Sequence, residues 1–404
     1  MKKAIFIALS PNTEKDDLAL ARQLLLRPRD WQTGQSVSRL EKSFKIFFKA
    51  RAALAFSSGR TALWAILKAL PIGAGDEVLL QAYTCVVVPE AIIRLGGRPV
   101  WVDITPKTFN LDPADLERKI SRRTKAIIVQ HTFGRAADLI AIRRISSQYR
   151  LCLIEDCAQA LGAEYQGRPV GVFGDAAFFS FGRDKNISSI FGGLAISHDP
   201  KISQRLREIH AELPLPPQKW IAQQLFHPVA FNLIMKHYFS FGKPLHYLLS
   251  RLGLLSRATQ TPLALFSRMP NGLAALAWRQ WRKLNRFNQH RCRIAGFYDQ
   301  ELAGLAIERP VVSPGHVFLR YTIQTDRAEE LMKFAKKKAV FLGDWYRPVI
   351  APSATDFHQV GYRPGSCPQA EKASQRSVNL PTHPQMSLND SQKIVEILKE
   401  FYGH

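Results

Sequence analysis

The chain has 404 residues, 46% of them hydrophobic, and a formal net charge of +23 at pH 7. This composition is typical of a globular protein of two or three domains. No run of 18 or more apolar residues occurs, so a membrane-spanning helix is not expected. The positive charge indicates a partner with phosphates, an acidic lipid surface or a nucleic acid.

The five cysteines are scattered along the chain without metal-like spacing: Cys85, Cys152, Cys157, Cys292 and Cys367. Free thiols in an odd number are typical of a reducing compartment. The first residues, MKKAIFIALSPNTEKDD, have only six apolar residues before charges follow, too few for a secretory signal. We therefore expect a cytoplasmic protein.

Residues 50–200 alternate between helical and strand patterns. After the helix predicted at 57–70, apolar strands are predicted within EVLLQAY, GGRPVWVDI, TKAIIVQHT, LCLIEDCAQA and DAAFFSF, with helices between them. This alternation predicts βαβ units and a parallel sheet covered on both faces. Ligands of such sheets bind outside the carboxyl ends of the strands, where Asp156 and Ser180 fall. From about residue 286 the pattern becomes α+β, which predicts a smaller second domain.

Three features along this region point to one ligand. Ser58–Thr61 stand at a predicted helix N-terminus, where free N–H groups favour an anion. Asp156 ends a buried strand, and Lys185 follows an aromatic strand in a loop of small and polar residues. Taken alone, each feature has an ordinary interpretation: a helix cap, a carboxylate in a helix cap or salt bridge, and a surface lysine. Together they match pyridoxal phosphate, which needs a phosphate site, an acid for its ring nitrogen and a lysine for a Schiff base.

The order of motifs is similar to that of a known family. The blocks are GDEVLLQAYTCVVVPEAIIRLGGRPVWVDI, TKAIIVQHTFGRAADL, LIEDCAQALGAEYQGRPVG, FFSFGRDKN and VNLPTHPQMS. With them the chain resembles the DegT/DnrJ/StrS-type sugar aminotransferases, pyridoxal-phosphate enzymes of fold type I. The resemblance implies an α/β fold with a large, mostly parallel domain and a smaller C-terminal α+β domain.

The resemblance also implies roles for single residues. Lys185 would carry the cofactor, Asp156 would pair with its ring nitrogen, and Gln159 would lie at its phenolic side. Ser180 and the backbone amides of Gly59 and Arg60 would hold its phosphate. No metal is expected.

Family members are homodimers with composite active sites. They usually move an amino group from glutamate to a nucleotide-linked keto-sugar, which here could also be lipid-linked.

Several positions depart from the family pattern. Arg60 replaces a threonine, and Cys85 replaces an aromatic residue that stacks on the cofactor, so we expect stacking either to be lost or to come from Tyr83. Phe266 stands where an asparagine usually reaches the partner subunit's phosphate site. Arg60 or Arg183 could replace that contact, because guanidinium binds phosphate bidentately.

Two further stretches depart as well. KNISSIFGG lacks the family's acid, and WYRPVIAP lacks a histidine often found there. A related branch that dehydrates sugars has histidine in place of the lysine, and Lys185 argues against it.

We predict three parts: a large domain at 1–205, a helical, basic and apolar insertion at 206–265, and a linking helix with the small domain at 266–404. Between Glu212 and Asp299 the chain has twelve Lys and Arg residues and no acid. We prefer to interpret the apolar segment 219–255 as a helical hairpin packed on the body or across the dimer. A membrane-interface helix is the second interpretation, and nucleic-acid binding is the third. Because Pro228, Gly242 and Pro244 interrupt the segment, we expect two or three short helices.

Two functions remain open at this point. One is an aminotransferase in cell-surface polysaccharide or related sugar biosynthesis. The other is a catalytically reduced regulatory or binding protein at a membrane surface. The presence together of Lys185, Asp156, Gln159 and Ser180 favours the enzyme.

Overall fold

The structure is a computed structural model, and it describes residues 4–7, 12–255 and 266–403. The last ten residues of the predicted insertion, 256–265, lie outside this part of the chain, and so does Arg257 of its basic set. The division into three parts stays a prediction.

The α-helices are α1 (Lys15–Leu25), α2 (Ser36–Phe47), α3 (Gly59–Ala69), α4 (Val87–Ile93), α5 (Pro113–Arg118), α6 (Leu139–Gln148), α7 (Pro200–Glu212), α8 (Gln218–Lys236), α9 (Lys243–Arg251), α10 (Asn271–Trp281), α11 (Leu284–Glu301), α12 (Ala328–Lys337), α13 (Pro368–Arg376) and α14 (Leu388–Tyr402). Short 3₁₀ turns occupy Pro28–Asp30 and Thr132–Gly134, and a π-helical turn, Tyr238–Gly242, joins α8 to α9.

The strands are β1 (Ile5–Phe6), β2 (Ala52–Phe56), β3 (Glu77–Gln81), β4 (Thr84–Cys85), β5 (Arg98–Val102), β6 (Ile104–Thr105), β7 (Asn110–Leu111), β8 (Thr124–Gln130), β9 (Cys152–Asp156), β10 (Glu164–Tyr165), β11 (Arg168–Pro169), β12 (Ala176–Ser180), β13 (Gly193–Ser197), β14 (Tyr321–Gln324), β15 (Val340–Phe341), β16 (Ile350–Ala351) and β17 (Ser377–Leu380).

A seven-stranded sheet forms the centre of the molecule, in the order β2-β13-β12-β9-β8-β3-β5. The five strands from β12 to β5 are parallel, and β13 is antiparallel to both of its neighbours. The predicted strands and the mostly parallel sheet are therefore confirmed.

Both faces of the sheet are buried, because apolar side chains alternate between two cores. On β8, Ile127 and Val129 enter the core that contains α2, α6 and α10, whereas Ala126 and Ile128 enter the core that contains α3, α4 and α7. Side chains two residues apart on a strand share a face, so an apolar run with this period needs helices on both sides.

The small domain has a core of its own. Residues of α11, α12 and α14 pack against β14, β15 and β17 around Tyr298, Ile323 and Leu398. The pair β4–β16 joins the two domains, because Thr84 and Cys85 of the large domain pair with Ile350 and Ala351. This pairing brings the chain around residue 345 to the carboxyl ends of the central strands.

The segment 219–255 folds differently from the prediction in one respect. Gly242 and Pro244 do separate two helices, but Pro228 lies inside α8, which continues for 19 residues. A proline inside a helix costs about 3 kcal/mol. Burial of apolar side chains on both sides of it, such as Leu225 and Phe231, offsets this cost.

Among the described residues, no helix is long and apolar enough to cross a membrane.

Candidate active site

The N-terminus of α3 forms one wall of the site. Ser58 caps the helix, with its Oγ accepting a hydrogen bond of 3.1 Å from the backbone N–H of Thr61. Gly59 is packed so closely that an added Cβ would lie 2.9 Å from the Cβ of Ser180. The first amides of the helix and the Ser180 hydroxyl therefore meet in one small space, and such amides bind anions.

The ends of three parallel strands form the floor. Asp156 of β9 is paired with Gln130 of β8 on one side and with Phe178 of β12 on the other. The Asp156 carboxylate is buried and accepts a hydrogen bond of 2.9 Å from the N–H of Ala158. Burial raises the pKa of this carboxyl group. A cationic ligand atom beside it would stabilise the ionised form.

The neighbouring Glu155 belongs to a different environment, since its side chain projects to the opposite face of β9. It accepts hydrogen bonds from the N–H groups of Gly171, Phe173 and Gly174 and contacts His131 at 3.1 Å. These donors lower the pKa of Glu155 and make it a structural acid.

Lys185 extends into the site from the loop that follows β12. Its Nζ lies 5.2 Å from the centroid of the Trp345 ring. Burial lowers the pKa of Lys185, and the charge of Asp156 partly opposes this effect. A lysine with a lowered pKa is a better nucleophile at neutral pH, because more of it is the free amine.

The Lys185 loop is held by a buried polar network. Asn12 donates from Nδ2 to the carbonyl oxygens of Lys185 and Asn186, at 2.6 and 3.1 Å. Arg291 in turn donates to Oδ1 of Asn12 at 2.9 Å and to the carbonyl of Asn186 at 3.0 Å. The backbone from the lysine carbonyl onward is therefore fixed by side chains from distant parts of the chain.

A cavity of about 330 Å³ lies between these elements. All the sequence-predicted site residues line it: Gly59, Arg60, Cys85, Asp156, Gln159, Ser180 and Lys185. Its volume is in the usual range for a cofactor or a small ligand.

Of the two expectations about stacking, the one that assigns it to Tyr83 is wrong. Tyr83 is fully buried, stacks on Phe109 at 5.3 Å and donates its hydroxyl proton to Ser377, away from the cavity. Because the Tyr83 ring packs on Phe109 and its hydroxyl is bound by Ser377, Tyr83 does not supply a ring that could stack on the cofactor. Phe266 packs on Trp64, with 5.1 Å between the ring centroids.

The two arginines proposed for the phosphate both line the cavity. Arg60 forms an ion pair of 3.4 Å with Glu90, and the Arg183 guanidinium lies over the Phe191 ring at 5.7 Å. Burial lowers the pKa of Arg183 to about 10, so this guanidinium remains charged at neutral pH; burial lowers the pKa of Arg60 as well.

Sequence reasoning missed the wall supplied by the small domain. Trp345 and Tyr346 line the cavity, and Gln159 donates a hydrogen bond to the Tyr346 hydroxyl while accepting one of 2.9 Å from the N–H of Phe133. In the sequence, WYRPVIAP departs from the family pattern by lacking a histidine, and that departure does not reveal the two aromatic side chains as part of the site. The two consecutive aromatic residues, Trp345 and Tyr346, are the sequence signal that could have identified this wall of the cavity.

The sequence model of the DegT/DnrJ/EryC1/StrS aminotransferase family matches residues 11–399. The chain belongs to this family. It is 32% identical to the pleiotropic regulatory protein of Geobacillus stearothermophilus over 387 residues, covering 94% of this chain and 93% of that one. It is 30% identical to the UDP-N-acetyl-3-dehydro-alpha-D-glucosamine 3-aminotransferase of Acidithiobacillus ferrooxidans, covering 85% and 82%.

Solved structures agree with this assignment. DesV of S. venezuelae, in complex with a ketimine intermediate, is 26% identical, has a TM-score of 0.79 and is matched over 100% of both chains. The chain is thus a pyridoxal-phosphate-dependent aminotransferase of fold type I, and the resemblance noted from its motifs is confirmed.

The residues present fit the cofactor. The approach of Gly59 to Ser180 leaves backbone amides uncovered at the start of α3, and Asp156 is a buried acid without a cation within salt-bridge distance among the described residues. Lys185 lies in the same cavity. These groups are complementary in charge and chemistry to the phosphate, the ring nitrogen and the aldehyde of pyridoxal phosphate.

Proposed function

We propose that this aminotransferase moves an amino group from glutamate to a keto-sugar carried on a nucleotide or a lipid, in polysaccharide or related sugar biosynthesis. One observation carries the proposal: Lys185, Asp156 and the start of α3 line one cavity. The substrate class is supported by the relative from Acidithiobacillus ferrooxidans, whose name describes amino transfer to a UDP-linked sugar.

The alternative is a regulatory protein with reduced catalysis. The name of the relative from Geobacillus stearothermophilus gives that alternative some support. However, Lys185, Asp156, Gln159 and Ser180 all line the cavity, and a protein without catalysis has no need of all four. We therefore favour the enzyme.

Each residue has a separate task in this proposal. Pyridoxal phosphate, when bound, acts as an electron sink for the carbon that loses its proton. Lys185 Nζ would hold the cofactor and would also accept a proton from the amino donor, for which its lowered pKa is suited. Asp156 would keep the ring nitrogen protonated, and Gln159, held by Tyr346, would orient the phenolic side.

The phosphate would be bound by Ser180 and by the amides of Gly59 and Arg60. Arg60 and Arg183 also line the cavity, and their guanidinium groups would add positive charge to it. They take the place of the asparagine that Phe266 replaces. Cys85 lies where the stacking ring would be, and burial raises the pKa of its thiol, so it contributes a neutral contact.

We further propose a cytoplasmic homodimer. All five cysteines are free, as expected in a reducing compartment. Large apolar side chains are exposed on the single chain, for example Leu26 at 85% and Ile46 at 66%, and a second subunit would cover such groups. Sedimentation of the holoenzyme at several concentrations tests this.

Helix α9 and the turn before it expose both apolar and basic side chains. We name as the apolar–basic patch the exposed residues Lys236, Phe239, Phe241, Lys243, Tyr247, Leu248, Arg251, Leu252 and Leu254. The first half of α8 packs on the main core through Ile221 and Leu225, whereas α9 has no buried residue. Three cations and no acid complement an anionic lipid surface, and we propose that the patch contacts one.

Borohydride reduction of the holoenzyme followed by peptide mapping tests the central assignment. The expected result is a cofactor label on Lys185 and none in the Lys185→Ala variant, with Lys219→Ala, an exposed site, labelled as the natural protein is. A label on another lysine, or no cofactor binding at saturation, overturns the assignment. Labelling without amino transfer from glutamate to any nucleotide-linked keto-sugar would favour the regulatory alternative.

A further inference from the structure

A second cavity of about 260 Å³ adjoins the active site. The two cavities share Asp344 and Trp345. The remaining lining residues come from the amino-terminal strand and the small domain: Phe6, Ile7, Arg320, Phe341, Leu342, Gly343 and Asn379. None of the roles proposed above uses this cavity.

Arg320 places a buried positive charge at the second cavity. The side chain is 4% exposed, and its guanidinium lies 4.9 Å from the centroid of the Trp345 ring. One terminal nitrogen donates to the carbonyl of Ile7, while Nε has no hydrogen-bond partner among the described residues. The charge of Asp184 acts on Arg320 from a distance, but no salt bridge joins Arg320 to a described carboxylate.

A second buried arginine strengthens the positive field. Arg291 is 1% exposed, and its described hydrogen bonds go to neutral oxygens of Asn12, Asn186 and Asn288. Burial and the charge of Arg320 lower the pKa of Arg291 to about 9. The same two arginines and burial lower the pKa of His383 to about 3, so this histidine is neutral.

The remaining segments of the chain contain no acid that could neutralise these charges. Residues 1–3, 8–11, 256–265 and 404, which lie outside the described part, include no Asp or Glu. A buried charge without a counter-ion is costly, and natural proteins retain one mainly where it has a task. A ligand anion would supply the missing counter-ion.

We propose that this second cavity is an anion subsite, in which Arg320 binds a carboxylate or phosphate of the substrate that reacts at Lys185. Trp345 connects the two positions, because Lys185 Nζ and the Arg320 guanidinium lie 5.2 and 4.9 Å from the centroid of its ring. The subsite rests on the proposed aminotransferase function. The anion has two chemical sources, the side-chain carboxylate of the amino donor and the diphosphate of the sugar carrier.

Binding of unreactive anions to the holoenzyme tests the subsite. Glutarate represents the donor carboxylate, and inorganic pyrophosphate represents the carrier. Titration calorimetry of the natural protein should detect one of them. Arg320→Gln should weaken that binding about 10- to 100-fold, as expected for a charge-assisted hydrogen bond. Arg320→Lys should retain part of it, and Arg293→Gln, an exposed change on α11, should bind as the natural protein does.

A measurement on the unchanged protein covers the case in which Arg320→Gln fails to fold. Phenylglyoxal modifies guanidinium groups, and saturating glutarate or pyrophosphate should protect Arg320 from it. Protection by glutarate assigns the amino donor, and protection by pyrophosphate assigns the sugar carrier. No protection by either anion, or unchanged anion binding in Arg320→Gln, overturns the subsite.

Amino-transfer assays separate this proposal from the one on which it rests. If the natural protein binds the anion through Arg320 but transfers no amino group, the subsite stands and the aminotransferase function fails. If it transfers amino groups while Arg320→Gln binds anions and turns over normally, the subsite alone fails.

Discussion

The side-chain amide of Asn12 donates a hydrogen bond of 2.6 Å to the carbonyl oxygen of Lys185, 173 residues further along the chain. Asn12 is 1% exposed and also accepts a hydrogen bond from Arg291. The position of Lys185 therefore depends on a residue near the amino terminus and on α11.

Asn12→Ala should destabilise the protein and loosen the lysine loop. The change leaves the carbonyl of Lys185 and one guanidinium N–H of Arg291 without their partner, and we expect a loss of about 3 kcal/mol in the free energy of unfolding. Urea unfolding measures this loss, with Asn389→Ala, an exposed position on α14, as the control. Unfolding at the same urea concentration as the natural protein would contradict the structural role.

Gly59→Ala should weaken cofactor binding. The new Cβ would lie 2.9 Å from Ser180 Cβ and 3.4 Å from the carbonyl oxygen of Phe179, so Ser180 must move away from the helix N-terminus. Loss of one charge-assisted hydrogen bond raises the dissociation constant of pyridoxal phosphate about 10- to 100-fold. Absorption titration of the apoenzyme checks this prediction.

Gly296→Ala is the matched control, because a Cβ there meets nothing within 4 Å. It lies in α11, where alanine stabilises a helix by up to about 1 kcal/mol. Equal cofactor affinity in the two variants would contradict a tight phosphate site at Gly59.

Sequence reasoning could predict the parts of the site that follow local rules. Asp156 and Ser180 end strands whose period-two apolar pattern is visible, and Ser58 precedes a helix with clear periodicity. Parallel pairing then brings these ends to one edge of the sheet. Local pattern and tertiary structure agree at these positions.

The parts that were missed depend on pairings between distant segments. Trp345 reaches the cavity because β16 pairs with β4, and Arg320 becomes a buried cation only when β1 and the small domain close around it. The position of Tyr83 depends on such a pairing too, since its hydroxyl donates to Ser377, 294 residues further along the chain. Pro228 shows the reverse case, in which tertiary burial outweighs a local helix-breaking signal.

Glu41 should make the stability of the protein depend on pH. Burial raises its pKa to about 7, although its Oε1 accepts a hydrogen bond of 2.8 Å from the N–H of Ala55. Its reference pKa is 4.5, so between pH 4.5 and 7 the folded chain holds a proton that the unfolded chain has lost. Its contribution to stability is thus complete below pH 4.5 and is lost as the pH rises to about 7.

The loss amounts to at most about 3 kcal/mol. Glu41→Gln keeps the acceptor oxygen but removes the titration, so its stability relative to the natural protein should increase between pH 4.5 and 7. Urea unfolding at several pH values measures this difference. A difference that does not vary with pH would show that Glu41 has an ordinary pKa in the folded state.

Asp156→Asn should retain the cofactor on Lys185 but lose about 100-fold in turnover. The amide has the shape of the carboxylate but no charge to keep the ring nitrogen protonated, so an interaction that matters most in the transition state is lost. The pKa of Lys185 should also fall further, because the Asp156 charge raises it. Steady-state and single-turnover rates measure the first effect.

The control for this change is Asp138→Asn. Asp138 caps α6, and asparagine caps a helix equally well, so this variant should keep its activity. If Asp156→Asn turns over at the natural rate, Asp156 does not pair with the ring nitrogen.

The apolar–basic patch should bind vesicles of anionic lipid in preference to neutral ones. Each Lys or Arg near an anionic leaflet contributes about 1 kcal/mol, so its three cations support reversible binding. The binding should weaken at 1 M salt, where the screening length falls to about 3 Å.

Leu252→Glu, at a side chain 62% exposed, should reduce co-sedimentation, because it adds negative charge and removes an apolar contact. Leu388→Glu, at a side chain 48% exposed and outside the patch, should bind as the natural protein does. Equal sedimentation with anionic and neutral vesicles, or none with either, would favour packing of the patch against the partner subunit.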